Sequence, residues 1–135
     1  YTVPFGKAQV IQHGEQCTIV TYGLGVHWAL DYLKEHPHIS ADLIDLRTLL
    51  PLDMETIYES VKKTGRALVL HEDSLTGGIG GEIAARIGEH CFAHLDAPVT
   101  RCASLDTPIP FNAELEKNFL ANKYLDTCMQ QILAY

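Results

Sequence analysis

His71, Glu72 and Asp73 put an imidazole and two carboxylates on consecutive residues, and the small-residue run Gly77-Gly78-Ile79-Gly80-Gly81 follows closely. A charged cluster of this kind at the carboxyl end of a strand is a candidate functional site. A glycine-rich loop that opens a helix presents free N–H groups and the positive end of the helix dipole, and can cradle a phosphate. Both features also have structural uses: a carboxylate caps a helix or braces a loop, and missing side chains let a helix pack closely on its neighbour.

Other stretches hold parts of known chemistries. In YGLGVHW, Gly23 and Gly25 stand where a dinucleotide-binding turn would have them, with Asp45 near the position of the ribose acid, but Trp28 replaces the third glycine. That bulk would push the helix off the sheet, which leaves a tight strand-to-helix turn. Gly6-Lys7 lacks the upstream glycine of a P-loop, and Ala8 supplies no hydroxyl for magnesium. His90 and His94 have the spacing of a helical zinc pair without a third ligand fixed by spacing, and suit the negative end of a helix dipole. His36-Pro37-His38 reads as an exposed loop, and no G-x-S-x-G elbow supports a hydrolase.

The elements that must hold these residues emerge from the apolar pattern. The β-branched runs Cys17–Tyr22, Ala41–Leu46, Arg66–His71 and Pro98–Ser104 are candidate strands, with an additional edge strand expected in GKAQVIQHGE. Between them lie helical patterns over Gly25–Glu35 and Asp53–Thr64, and a stripe of Ile79, Ile83, Ile87 and Cys91. Asp53 is suited to an N-cap and Gly65 to a C-cap. Two further helical pieces, Ala113–Leu120 and Lys123–Leu133, close the chain. Strands alternating with helices imply an α/β class with parallel crossovers, and ligands of such sheets gather at the strands' carboxyl ends.

The 135 residues fit a single domain, 1–135, with 47% hydrophobic and 20% charged residues. A net charge of −7 argues against nucleic acid and accommodates a basic protein partner. No apolar run approaches the ~20 residues of a membrane span, so no membrane partner is expected. Cys17, Cys91, Cys102 and Cys128 have no C-x-x-C spacing and read as free thiols in a reducing compartment. The sequence opens at Tyr1 without a methionine, as a fragment would.

Taken in order, PFGKA, TIVTYG, LIDLRTLLPLD, SVKKTGR, HEDSLTGG and LDAPVTR followed by DTPIPF resemble the C-terminal domain of the beta subunit of thiamine-dependent 2-oxo acid dehydrogenases. The HE…LTGG form is closer to the branched-chain type than to the pyruvate type. The resemblance spans essentially the whole chain. It implies a three-layer α/β/α domain with a mostly parallel five-stranded sheet, like the domain that closes transketolase.

It also implies a heterotetramer with an alpha subunit and a second beta subunit, in the cytoplasm of a bacterium or the mitochondrial matrix of a eukaryote. In the intact enzyme, thiamine diphosphate and magnesium would be held by other domains. No cofactor is expected in this one, which lacks the GDG metal-diphosphate signature, and the catalytic glutamate would belong to a preceding pyrimidine-binding domain. His71, Glu72, Gly77 and Gly78 are then candidates for supporting the active site or a subunit boundary. Asp96, ahead of Ala97-Pro98, and Tyr135 are candidates for docking the basic subunit-binding domain of the lipoyl acyltransferase.

Overall fold

The computed structural model describes residues 5–76, 78–104 and 121–135. Five strands, β1 (Gln9–Gln12), β2 (Cys17–Thr21), β3 (Ala41–Asp45), β4 (Ala67–Ser74) and β5 (Thr100–Ser104), form one sheet in the order β1-β3-β2-β4-β5. β2 lies parallel to both β3 and β4, β4 is parallel to β5, and only the edge strand β1 runs antiparallel, against β3. Among the described residues the α-helices are α1 (Leu24–Glu35), α2 (Met54–Thr64), α3 (Ile79–Cys91) and α4 (Leu125–Leu133).

The central strand β2 is buried along its whole length because helices cover both faces of the sheet. The two-residue alternation of strand side chains divides the core in two. Ile19, Leu43, Leu68 and Leu70 face α1 and α4, meeting Ala29, Leu33, Met129 and Ile132. Val20, Ile44 and Val69 face α2 and α3, meeting Ile57, Val61, Ile83 and Ile87. Each fully buried isoleucine of α3 contributes about 2 kcal/mol by leaving water. The result is the expected three-layer α/β/α domain.

Local chemistry sets the element ends. The Asp53 side chain accepts from the Thr56 N–H at 3.3 Å and from the Ala8 N–H at 2.9 Å, so it caps α2 while tying down the entry segment. Gly65 ends α2 in the left-handed region at φ 76°. The expected strand ending at His71 continues to Ser74, which places His71, Glu72 and Asp73 inside β4. The last helical piece divides into a 3-10 turn at Ala121–Tyr124 followed by α4. The candidate helix Ala113–Leu120 and the DTPIPF loop lie outside the described residues.

The close helix–sheet approach that a dinucleotide turn makes at its third glycine is made here by Gly25 instead. A Cβ on Gly25 would come within 2.0 Å of Thr21 Oγ1. Trp28, a turn further on, packs half-buried against the α1 side of the core without displacing the helix.

Candidate functional site

Because β4 alternates, the consecutive residues His71 and Glu72 face opposite ways. His71 is only 1% exposed and lies beneath the first turn of α3, whereas Glu72 and Asp73 are exposed. The Gly80 N–H donates to His71 Nε2 at 3.2 Å, and a Cβ on Gly80 would fall 2.3 Å from that nitrogen. Nε2 therefore carries a lone pair and the ring proton sits on Nδ1, which has no hydrogen-bond partner among the described residues. Burial pushes the imidazole below its ordinary pKa of 6.5; the nearby Asp73 pulls the other way, and the Arg101 charge adds to the lowering. Tyr22, at the end of β2, stacks on the same ring at 6.3 Å between centroids.

The segment after β4 is braced from β5. The Ser104 hydroxyl donates to the Glu72 carbonyl, the Leu75 N–H donates to the Ser104 carbonyl at 3.1 Å, and Arg101 Nη1 donates to the Leu75 carbonyl at 2.8 Å. Gly78 is the N-cap of α3 in extended conformation. Gly77 lies outside the described residues. The structure thus joins His71 to the glycine turn and keeps Glu72 apart from it, and the joining residue is Gly80, which the sequence alone does not distinguish from its neighbouring glycines.

A second site forms on the far side of α3. Leu95, Ala97, Pro98 and Val99 line a groove of about 710 Å³ with Phe92 and Tyr135. Phe92 is 78% exposed and Tyr135 66% exposed, an apolar pair standing in water. Asp96 is exposed on the same groove, and its N–H donates to the Gly65 carbonyl at 2.7 Å. The next residue, Arg66, donates from Nε to the Ile132 carbonyl at 3.0 Å and from Nη2 to the Tyr135 main-chain oxygen. Asp96 and Tyr135 therefore meet at one groove through the Gly65-Arg66 pair. Arg66 was missed from the sequence; its one available signal was a cation directly after a helix C-cap.

The remaining sequence motifs fall to structural roles. His90 packs on Tyr58 at 4.7 Å between ring centroids, and His94 sits in an exposed 3-10 turn. No group of three His, Cys, Asp or Glu side chains among the described residues could hold a metal ion. Asp45 accepts from the Arg47 N–H at 3.0 Å and so supports Arg47 at a positive φ of 63°, while the Arg47 guanidinium donates to Gln9.

The model of the family "Transketolase, C-terminal domain" matches residues 6–124. The chain is 46% identical over 125 residues to the 2-oxoisovalerate dehydrogenase subunit beta of Bacillus subtilis, covering 90% of this chain and 38% of that protein. It is 45% identical over 124 residues to the pyruvate dehydrogenase E1 component subunit beta of Rickettsia bellii, again covering 90% and 38%. Among solved structures, one described as a split gene transketolase, an inactive beta4 tetramer, superposes with a TM-score of 0.80 at 28% identity, covering 99% of this chain and 43% of that one. The chain thus spans well under half of the proteins it matches, and the family match includes the β4–α3 turn and Asp96 but ends before Tyr135. It belongs to the transketolase C-terminal domain family.

Proposed function

We propose that the chain is the assembly and docking domain of the beta subunit of a thiamine diphosphate-dependent 2-oxo acid dehydrogenase of the branched-chain type. The whole enzyme would oxidatively decarboxylate a branched 2-oxo acid and pass the acyl group to a lipoyl acyltransferase. The observation that carries this reading is identity of 45–46% across nine-tenths of the chain to the beta subunits of a 2-oxoisovalerate dehydrogenase and a pyruvate dehydrogenase. Relatives named as branched-chain beta subunits occur in bacteria and in mitochondria, consistent with a cytoplasmic or matrix setting. A pyruvate dehydrogenase beta subunit matches almost as well, and the substrate pocket would lie in domains beyond this one.

Thiamine diphosphate and magnesium would be held by other domains of the intact enzyme. At the glycine-rich start of α3 the Gly80 N–H is taken by His71, whose ring lies beneath that turn and fills the space a side chain on Gly80 would need. The domain's part is then to hold subunits together and to present a surface. His71, Glu72 and the Gly77-Gly78 turn would shape the subunit boundary at the carboxyl end of the sheet. The groove carrying Asp96 and Tyr135 would receive the basic subunit-binding domain of the acyltransferase, where a carboxylate at the rim of an apolar patch meets both needs of such a partner.

Co-expression of the complete beta subunit with an alpha subunit tests the reading. An α2β2 assembly that turns over 3-methyl-2-oxobutanoate in preference to pyruvate is expected. Preference for pyruvate would move the protein to the other branch of the family, and absence of any assembly with an alpha subunit would overturn the reading.

A further inference from the structure

The chain end and the Asp96 segment are both held from one short junction. Arg66 follows the Gly65 cap of α2 and leads into β4. Its carbonyl accepts from the Thr18 N–H of β2 at 2.8 Å and from the Thr64 hydroxyl at 3.1 Å, so its backbone is fixed to the sheet. From there Nε donates to the Ile132 carbonyl at 3.0 Å and Nη2 to the Tyr135 main-chain oxygen. The last carbonyls of a helix have no partner within it, and a guanidinium offers several donors in a rigid fork. Arg66 therefore ties the end of α4, and Tyr135 beyond it, to the start of β4.

Gly65 holds the other side of the groove. The Asp96 N–H donates to its carbonyl at 2.7 Å, and a Cβ on Gly65 would come within 2.3 Å of Asp96 Oδ2, so the carboxylate rests against the bare α-carbon. Asp96 and Tyr135 line the groove, whereas Gly65 and Arg66 stand behind it.

We infer that Arg66 is a positioning residue for docking, an inference that rests on the groove being the acyltransferase site: it fixes Tyr135 relative to Asp96 without touching the partner. An aromatic side chain whose backbone is already anchored loses less freedom when a partner covers it, and that saving appears as affinity. Charge alone predicts the opposite. Arg66 has the sign of the basic partner, so removing its charge would favour binding if electrostatics governed. Lost affinity on removing a like charge is then the signature of positioning.

The test measures binding of the acyltransferase subunit-binding domain to the complete beta subunit assembled with its alpha subunit. Arg66→Met keeps the length of the side chain and removes its donors. It should bind about fivefold or more weakly, the worth of one net hydrogen bond. Arg66→Lys keeps the charge without the planar fork and should also weaken binding. With Tyr135 deleted, Arg66→Met should cost nothing further, because it acts through that residue. Hydrogen exchange should quicken over residues 133–135 in Arg66→Met while the amides of β2 and β4 stay protected, which separates a loosened chain end from unfolding.

Equal or tighter binding by Arg66→Met would overturn the inference, as would an undiminished penalty when Tyr135 is absent. A wild-type assembly that binds no acyltransferase domain would overturn the docking reading and the inference with it, a failure visible before any variant is made.

Discussion

Gly80 and His71 share one volume: the space a side chain on Gly80 would fill is occupied by the His71 ring, and the Gly80 N–H points at its Nε2 over 3.2 Å. The glycine is needed for its absent side chain, and the histidine stands where the first turn of a helix would otherwise leave a donor unpaired. Gly80→Ala should therefore cost roughly 1–3 kcal/mol, since the ring must leave its place in a packed core. Urea unfolding monitored by circular dichroism measures it, and a midpoint equal to that of wild type would show that the contact is slack.

The same contact makes stability depend on pH. The folded His71 has a pKa below its ordinary 6.5, so the unfolded chain binds the proton more readily. Stability supplied by the neutral ring is complete above pH 6.5 and declines as the pH falls from there towards the folded value. His71→Gln should flatten that slope. Unfolding free energies collected across the weakly acidic range check this, and parallel curves for the two proteins would exclude His71 as the source.

Asp42 makes the domain sensitive to stronger acid. Its carboxylate is only 4% exposed and accepts from the Gly14 N–H at 2.8 Å, the Ser60 hydroxyl at 2.6 Å and Lys63 Nζ at 2.9 Å. Burial raises its pKa, but these hydrogen bonds outweigh it and hold the group below 3.8. Its contribution is present above that value and is lost as the pH falls through the folded pKa. Removing one partner leaves a buried acceptor unpaid, so Ser60→Ala should cost about 1–3 kcal/mol, read from thermal or denaturant melts. Thr18 joins the network through Ser60 at 2.7 Å, so Thr18→Val combined with Ser60→Ala should cost less than the sum of the separate changes.

Docking through the Asp96 groove predicts a salt-dependent interface. In an assembled beta dimer, Asp96→Ala or deletion of Tyr135 should weaken binding of the acyltransferase subunit-binding domain by more than ~1 kcal/mol. The Asp96 effect should shrink at high salt, because its carboxylate is exposed. Calorimetric titrations at two salt concentrations decide it, and two variants that bind like wild type at both would place docking elsewhere.

Glu72 offers a separation of folding from assembly. It is exposed on the isolated domain, so Glu72→Gln should change stability by less than about 0.5 kcal/mol. If the carboxyl end of the sheet forms a subunit boundary, the same change should lower tetramer yield or turnover in the complete enzyme. Size-exclusion chromatography and a steady-state assay read the two effects, and wild-type values in both would remove Glu72 from the boundary.

Much of the architecture was legible without coordinates because strands and helices are specified by short-range patterns. The alternation of apolar β-branched runs with three-and-four spaced stripes is enough to choose an α/β sheet with parallel crossovers, and Asp53 and Gly65 mark the ends of α2 through local hydrogen bonds and a left-handed φ that neighbours alone require. Two-residue periodicity along a strand that runs to Ser74 also separates His71 from Glu72. What sequence order could not supply were the close approaches: Gly80 over His71 and Gly25 against Thr21 between consecutive elements, and Arg66 reaching the last residues of the chain across the sheet. The first two depend on how closely each helix packs back on the strand before it, the third on where the crossovers return the chain; burying both faces of the sheet at once decides both, and only that packing turns Asp96 and Tyr135, 39 positions apart, into parts of one surface.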